Sequence, residues 1–215
     1  MTPTSLRRRA FVAGALLFAA LAVGLANAAE SEASPSAEKK PSKTPDVVYV
    51  PTPQAVVDKM LELAEVKAGD IVYDLGCGDG RIVVTAAKKF GVKAIGYDID
   101  PQRVKEAREN VRKAGVEHLV TIEEADVFTL DLTGASVITL YLLPALNVRL
   151  MPQLEKMKRG SRIVSHNFDM RGAKPVSTTP VQVTADESDN TFFEQDGVHT
   201  VYKWVVPWEA EKPSN

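Results

Sequence analysis

Eight consecutive residues, Asp74-Leu75-Gly76-Cys77-Gly78-Asp79-Gly80-Arg81, combine an acid, three glycines at alternate positions and a closing arginine. A glycine-rich turn lets the main chain approach a ligand, because a side chain at Gly76 or Gly78 would fill the ligand's volume or forbid the backbone angles. The spacing is G-x-G-x-G. A pyrophosphate-binding fingerprint carries its third glycine one residue later, where a helix N-terminus meets the phosphates, and Arg81 stands at that position here. The loop therefore suits a ligand without pyrophosphate, and Asp74 suits positive charge on it. Asp98 lies 24 residues after Asp74, the spacing at which a carboxylate reaches across a crevice to both hydroxyls of a ribose. Glu124-Ala125-Asp126-Val127 supplies a further acid. Singly, each acid reads as a solvated loop residue; at three consecutive strand ends they read as one binding crevice.

The elements that must position these groups follow from the apolar periodicity. Pro53 opens a helical pattern in which Val56, Val57, Met60 and Leu61 share a face, ending near Gly69. Ile71–Leu75, Ala94–Asp98, Val120–Glu123, Ser136–Leu142 and Arg162–His166 read as buried strands. Ile82–Phe90 closed by Gly91, Pro101–Lys113 followed by Gly115, and Leu146–Met157 followed by Gly160 read as helices. Alternation with short connections builds a parallel sheet with helices on both faces. Beyond Phe168 the rhythm changes: Val176–Thr184 and His199–Val206 read as an antiparallel hairpin, separated by Asp186–Asn190 and Phe192-Phe193, with Trp204 and Trp208 packing the last strand. The expected fold is α/β, three-layered, with five parallel βα units and a C-terminal hairpin.

Ahead of this domain, Arg7-Arg8-Arg9 precedes an apolar run from Ala10 to about Ala26, and Ala26-Asn27-Ala28 has the form of a signal-peptidase site. Residues 1–28 are read as a signal peptide cleaved after Ala28, or as a membrane anchor making contact through residues 7–28 if uncleaved. Arg8-Arg9-Ala10-Phe11 also resembles a twin-arginine export signal, so the expected location is exported, periplasmic or secreted, or membrane-anchored. Residues 29–46, rich in Ser, Pro, Glu and Lys, read as a disordered linker. Residues 47–208 form the domain and 209–215 a tail. The chain holds 26 Lys and Arg against 28 Asp and Glu, and with three arginines in residues 1–28 the remainder carries 23 against 28. That balance is no footprint for nucleic acid. A single cysteine, Cys77, excludes an intrachain disulfide and a cysteine metal cluster.

The Asp74–Arg81 motif, Asp98 and the Asp126 position resemble class I S-adenosylmethionine-dependent methyltransferases over about Val48–Met170, and the element order resembles their Rossmann-like seven-stranded sheet. Tyr49-Val50-Pro51-Thr52 together with Asp74–Val83 is similar to the ATP synthase c-subunit lysine methyltransferase family and its bacterial relatives. The resemblance implies S-adenosyl-L-methionine as cofactor, held by Tyr49, Asp74, Gly76, Gly78, Asp79 and Gly80, with Asp98 on the ribose, Ile99 on the adenine, and Asp126 and Val127 near the adenine amino group. It implies a protein lysine as methyl acceptor. Asp98-Ile99-Asp100-Pro101 departs from the Glu-Leu-Asn-Pro of those lysine enzymes, Tyr141-Leu142-Leu143-Pro144 is only loosely alike, and no Asn-Pro-Pro-Tyr follows the fourth strand.

An amine acceptor has to arrive neutral, and the candidates to help are Tyr141, His166, Asp169, Asp79 and Tyr49. His166 also reads as a buried structural histidine. His118 and His199 offer no metal-ligand spacing, Cys77 reads as a small loop residue, and no metal is assigned. Two rivals stand beside the methyltransferase: a nicotinamide-dependent oxidoreductase, favoured by Asp98 but not by the loop spacing, and a non-catalytic S-adenosylmethionine-binding protein.

Overall fold

The computed structural model describes residues 44–184 and 197–211. The leader, most of the linker and the Asp186–Asn190 and Phe192-Phe193 segment lie outside the described residues.

Helix α1 (Gln54–Leu63) leads into strand β1 (Ile71–Leu75), followed by α2 (Arg81–Phe90), β2 (Lys93–Asp98), α3 (Pro101–Ala114), β3 (Val120–Glu124), β4 (Val137–Leu140), α4 (Pro144–Leu154) and β5 (Arg162–His166). Asp100 caps α3 by accepting the Gln102 N–H at 2.8 Å, Pro101 fills the first helical position, and Gly91 and Gly115 end α2 and α3 in left-handed conformation. Two short strands, β6 (Ala173–Lys174) and β9 (Glu209–Ala210), flank the long pair β7 (Ser177–Val183) and β8 (Gly197–Val205).

The seven-stranded sheet has the order β3-β2-β1-β4-β5-β8-β7. Strands β1 to β5 are parallel, and β8 runs antiparallel to both β5 and β7. Alternation along the strands separates two cores. Val72, Ala94, Val120, Val137, Val164 and Val201 face α1, α2 and α3. Leu75, Tyr97, Ile138, Leu140, Ile163 and Trp204 face α4 and the loops around it. Both faces are covered, as a parallel sheet requires.

Three expectations are corrected. The β3–β4 connection carries only a 3-10 turn, Val127–Thr129, so not every parallel unit has its helix. Strand β4 stops at Leu140, freeing Tyr141–Leu143, and α4 begins at Pro144, which sits at its first turn. Glu209–Ala210 is paired to Ala173–Lys174 and does not begin a tail.

At the amino ends of β1, β4 and β5 a buried ionic clamp holds the sheet. Arg162 donates to both carboxylate oxygens of Asp70 and, through Nε, to the Ala64 carbonyl at 2.9 Å. Asp70 also accepts from Ser136 Oγ and the Lys67 N–H. Burial alone would raise the Asp70 carboxyl, but these donors outweigh it and hold it below its ordinary value. Its contribution is therefore complete above about pH 4 and is lost as pH falls through the depressed folded value. Arg162→Met leaves a buried carboxylate unpaired and should lower the free energy of unfolding at pH 7 by about 3 kcal/mol. Urea titrations should show that difference narrowing in acid.

Candidate functional site

The parallel strands deliver their carboxyl ends to one edge, and the order reverses between β1 and β4, the switch point at which open α/β sheets bind ligands. Gly76 (φ 81°) and Gly78 (φ 53°) are left-handed, and the Gly76 and Cys77 N–H groups both donate to the Tyr97 carbonyl. The loop thereby turns over the end of β2. Cys77 is buried against Gly96, where an added Cβ would stand 2.9 Å from its Sγ, and burial pushes its thiol up. It is a packing residue.

Asp74 is 2% exposed. Its Oδ1 accepts from Thr139 Oγ1 at 2.7 Å, and its Oδ2 has no hydrogen-bond partner. Burial pushes the carboxyl up to about 7, the Thr139 hydrogen bond opposes this, and the nearby charges of Asp98 and Asp79 add to it. An orphaned buried carboxylate oxygen calls for a donor, and a cation best of all. Asp98 accepts the Gly78 N–H at 2.8 Å and the Asp100 N–H at 3.0 Å, leaving further lone pairs for hydroxyls. Burial raises its carboxyl while those two main-chain bonds lower it, with a net upward shift. Asp126 accepts the Phe128 N–H and starts the 3-10 turn.

A strap formed by residues 45–52 crosses this edge. Tyr49 lies on the glycine loop, so close that a Cβ on Gly78 would fall 2.1 Å from its ring. The Arg103 guanidinium stands 4.8 Å from the ring centroid. Burial, then the Asp79 charge, raises the Tyr49 hydroxyl far above its usual value. Asp79 is engaged by Arg81, whose Nε and Nη2 both donate to it, while Arg81 Nη1 donates to the Thr52 carbonyl at 2.9 Å. Asp79 is thus a brace for the strap and not a base.

Tyr49, Asp74, Gly76, Asp79, Asp98, Ile99, Asp126 and Val127 line one cleft. Gly78 and Gly80 are not part of its wall: Gly78 lies under Tyr49, and Gly80 packs 3.0 Å from Ala107 as judged by an added Cβ. A side chain added at Gly78 would meet the Tyr49 ring first. Pro45 and Asp46 also line the cleft and so belong with the site and not with the linker. Arg103, Phe128, Leu142 and Leu146, none of them singled out in the sequence, complete it. Their apolar and basic types are too common to stand out, and only the fold gathers them.

Of the acceptor-side candidates, Tyr141 lines the cleft, and burial raises its hydroxyl against an opposing hydrogen bond from Asn167. His166 is fully buried behind it, with ring centroids 3.9 Å apart, and burial followed by the His199 neighbour lowers it to about 3. It is therefore neutral and structural. Asp169 does not line the cleft; its main-chain carbonyl accepts from Asn147 Nδ2. His199, dismissed as a metal ligand, forms a 2.8 Å bond with His166. Among the described residues no cluster of potential ligands gathers to hold a metal ion.

A family model for the ANTKMT methyltransferase domain matches residues 74–177, from the first acid of the glycine loop to the start of β7. A protein-lysine N-methyltransferase of Saccharolobus islandicus is 46% identical over 167 residues, covering 77% of this chain and 97% of that protein. The ATP synthase c-subunit lysine N-methyltransferase of Xenopus laevis is 31% identical over 125 residues, or 56% of this chain, which spans about half (53%) of that relative. Among solved structures, an RNA methyltransferase from Salinibacter ruber in complex with S-adenosyl-L-homocysteine is 44% identical with a TM-score of 0.63, covering 77% of this chain and 98% of that one. The nicotinamide-dependent reading finds no support among these relatives.

The residues present fit S-adenosylmethionine: Asp74 Oδ2 would accept from an ammonium, Asp98 keeps lone pairs that would accept from ribose hydroxyls, and Ile99 and Val127 line the same cleft. Affinity should rise as pH rises through about 7, where Asp74 ionises, and calorimetry on Asp74→Asn should show that dependence flattened. Gly78→Ala should weaken binding, and adding Tyr49→Ala should recover the part due to the ring collision, leaving about 1–2 kcal/mol of left-handed backbone strain.

Proposed function

Because the chain belongs to the class I S-adenosylmethionine-dependent methyltransferases, in the family of the ANTKMT domain, we propose that its acceptor is a lysine side chain of a protein. When bound, the cofactor supplies a methyl group activated by its sulfonium. The chain's own residues hold and orient. Asp74 takes the amino-acid head, Asp98 the ribose, and the Tyr49 strap covers the glycine loop and keeps water from the cleft. Transfer to an amine forms an N–C bond as the S–C bond breaks, its electron pair passing to sulfur, and the acceptor must first lose one proton to expose a lone pair.

The observation that carries this reading is the charge of the cleft. Six aspartates, 46, 74, 79, 98, 100 and 126, line it against Arg81 and Arg103. With Asp74 and Asp98 given to the cofactor and Asp79 paired with Arg81, the negative charge of Asp46, Asp100 and Asp126 favours an approaching ammonium over a phosphate backbone. The Saccharolobus and Xenopus proteins, named as lysine methyltransferases, support the same acceptor. The Salinibacter protein, named as an RNA methyltransferase, sets the alternative. Labelled S-adenosylmethionine should deliver methyl to lysine-bearing protein or peptide substrates; transfer to RNA alone would overturn the proposal.

The Arg-rich leader supports export or membrane anchoring of the domain, and the twin-arginine route, which carries folded proteins, would allow cofactor to travel with it. Cell fractionation should place the domain at the membrane or outside the cytosol. Full-length, uncleaved protein in the soluble cytosol would contradict that placement.

A further inference from the structure

A continuous array of polar contacts, buried at Thr52, His166 and His199, links the cofactor loop to the far wall of the cleft. Asp79 clamps Arg81, and Arg81 holds the Thr52 carbonyl. Thr52 is 4% exposed, and its Oγ1 meets His166 Nδ1 at 3.3 Å. His166 Nε2 meets His199 Nδ1 at 2.8 Å, and the Asn167 amide nitrogen stands 3.4 Å from that same His199 nitrogen. Asn167 adopts φ 57°, left-handed and uncommon for a non-glycine residue, and its Oδ1 accepts the Thr200 N–H at 2.8 Å. Pinned at both ends of its amide, Asn167 also opposes the upward shift that burial gives the Tyr141 hydroxyl. The Tyr141 ring is held between His166 at 3.9 Å and Phe168 at 5.9 Å.

Strand register says which part of the ligand Tyr141 faces. Asp74 is opposite Thr139 and Leu75 opposite Leu140, so Tyr141, the residue after β4, lies on the β4 side of the switch point, across β1 from β2. The ribose and adenine groups, Asp98, Ile99 and Asp126, lie on the β2–β3 side. A cofactor with its amino-acid head on Asp74 and its ribose on Asp98 would hold its sulfur between the two, and the methyl, the third substituent on that sulfur, would be free to face the β4 side.

We propose that Tyr141 is the residue that contacts the acceptor nitrogen, its hydroxyl oxygen accepting an N–H of the amine, and that His166 is a positioning residue that fixes the Tyr141 ring and ties it to the Thr52 strap. The hydroxyl suits this task because its oxygen can accept an N–H and Tyr141 lines the cleft. The inference rests on the amine-acceptor reading given above.

The test uses the full chain and two ligands that need no acceptor: S-adenosylhomocysteine, and sinefungin, which carries an amine on carbon where the methyl sulfonium would be. In Tyr141→Phe, calorimetry should find S-adenosylhomocysteine affinity unchanged and the preference for sinefungin reduced about tenfold, the worth of one hydrogen bond to a charged group. His166→Phe, which keeps an aromatic ring in the stack but removes both nitrogens, should reduce the same preference by less. An unchanged preference in Tyr141→Phe would overturn the assignment, and equal loss of both ligands would move Tyr141 to the cofactor side and overturn it too. Methyl transfer by the wild type distinguishes the premise: transfer to RNA with none to lysine would remove the amine reading whatever the ligand preference.

Discussion

One buried carboxylate governs the architecture of this cleft. Asp74 sits at the end of the central strand, almost wholly out of water, with Thr139 on one oxygen and nothing on the other. Such a group costs free energy unless a donor completes it. Asp74 lines the cleft, so a donor bound there can complete it: the glycine loop folds back over Tyr97, and the neighbouring Asp98 and Asp79 raise the demand for positive charge.

The opposite edge of the sheet has the reverse character. There the charges are paired, Asp70 with Arg162, and hydrogen-bonded to the ends of α1, β1 and β4. Stability is secured at the amino ends of the strands, which leaves the carboxyl ends free to carry an unsatisfied acid and left-handed glycines. The strap joins the two functions of the carboxyl edge, since Thr52 touches Arg81 through its carbonyl and His166 through its hydroxyl.

Much of this was legible in the sequence because local rules and long-range ones agree. The strands β1, β2 and β5 and the ends of α2 and α3 follow from apolar runs closed by Gly91 and Gly115, and Asp98 follows from its spacing to Asp74. What sequence could not supply depends on contacts far apart in the chain. The His166–His199 bond joins residues 33 apart on antiparallel strands, and nothing in either local pattern announces it. Tyr49 over Gly78 is the same kind of contact. The β3–β4 connection needs no helix: a 3-10 turn capped by Asp126 suffices where Phe128 and α4 cover that face.

The most direct test of the central claim is a crystal structure of the protein with S-adenosylhomocysteine. The ligand's amino nitrogen should lie within hydrogen-bonding distance of Asp74 Oδ2, its ribose hydroxyls on Asp98, and its sulfur should be directed toward Tyr141. A ligand bound with its sulfur toward Asp126, or with Asp74 Oδ2 still without a donor, would contradict the claim.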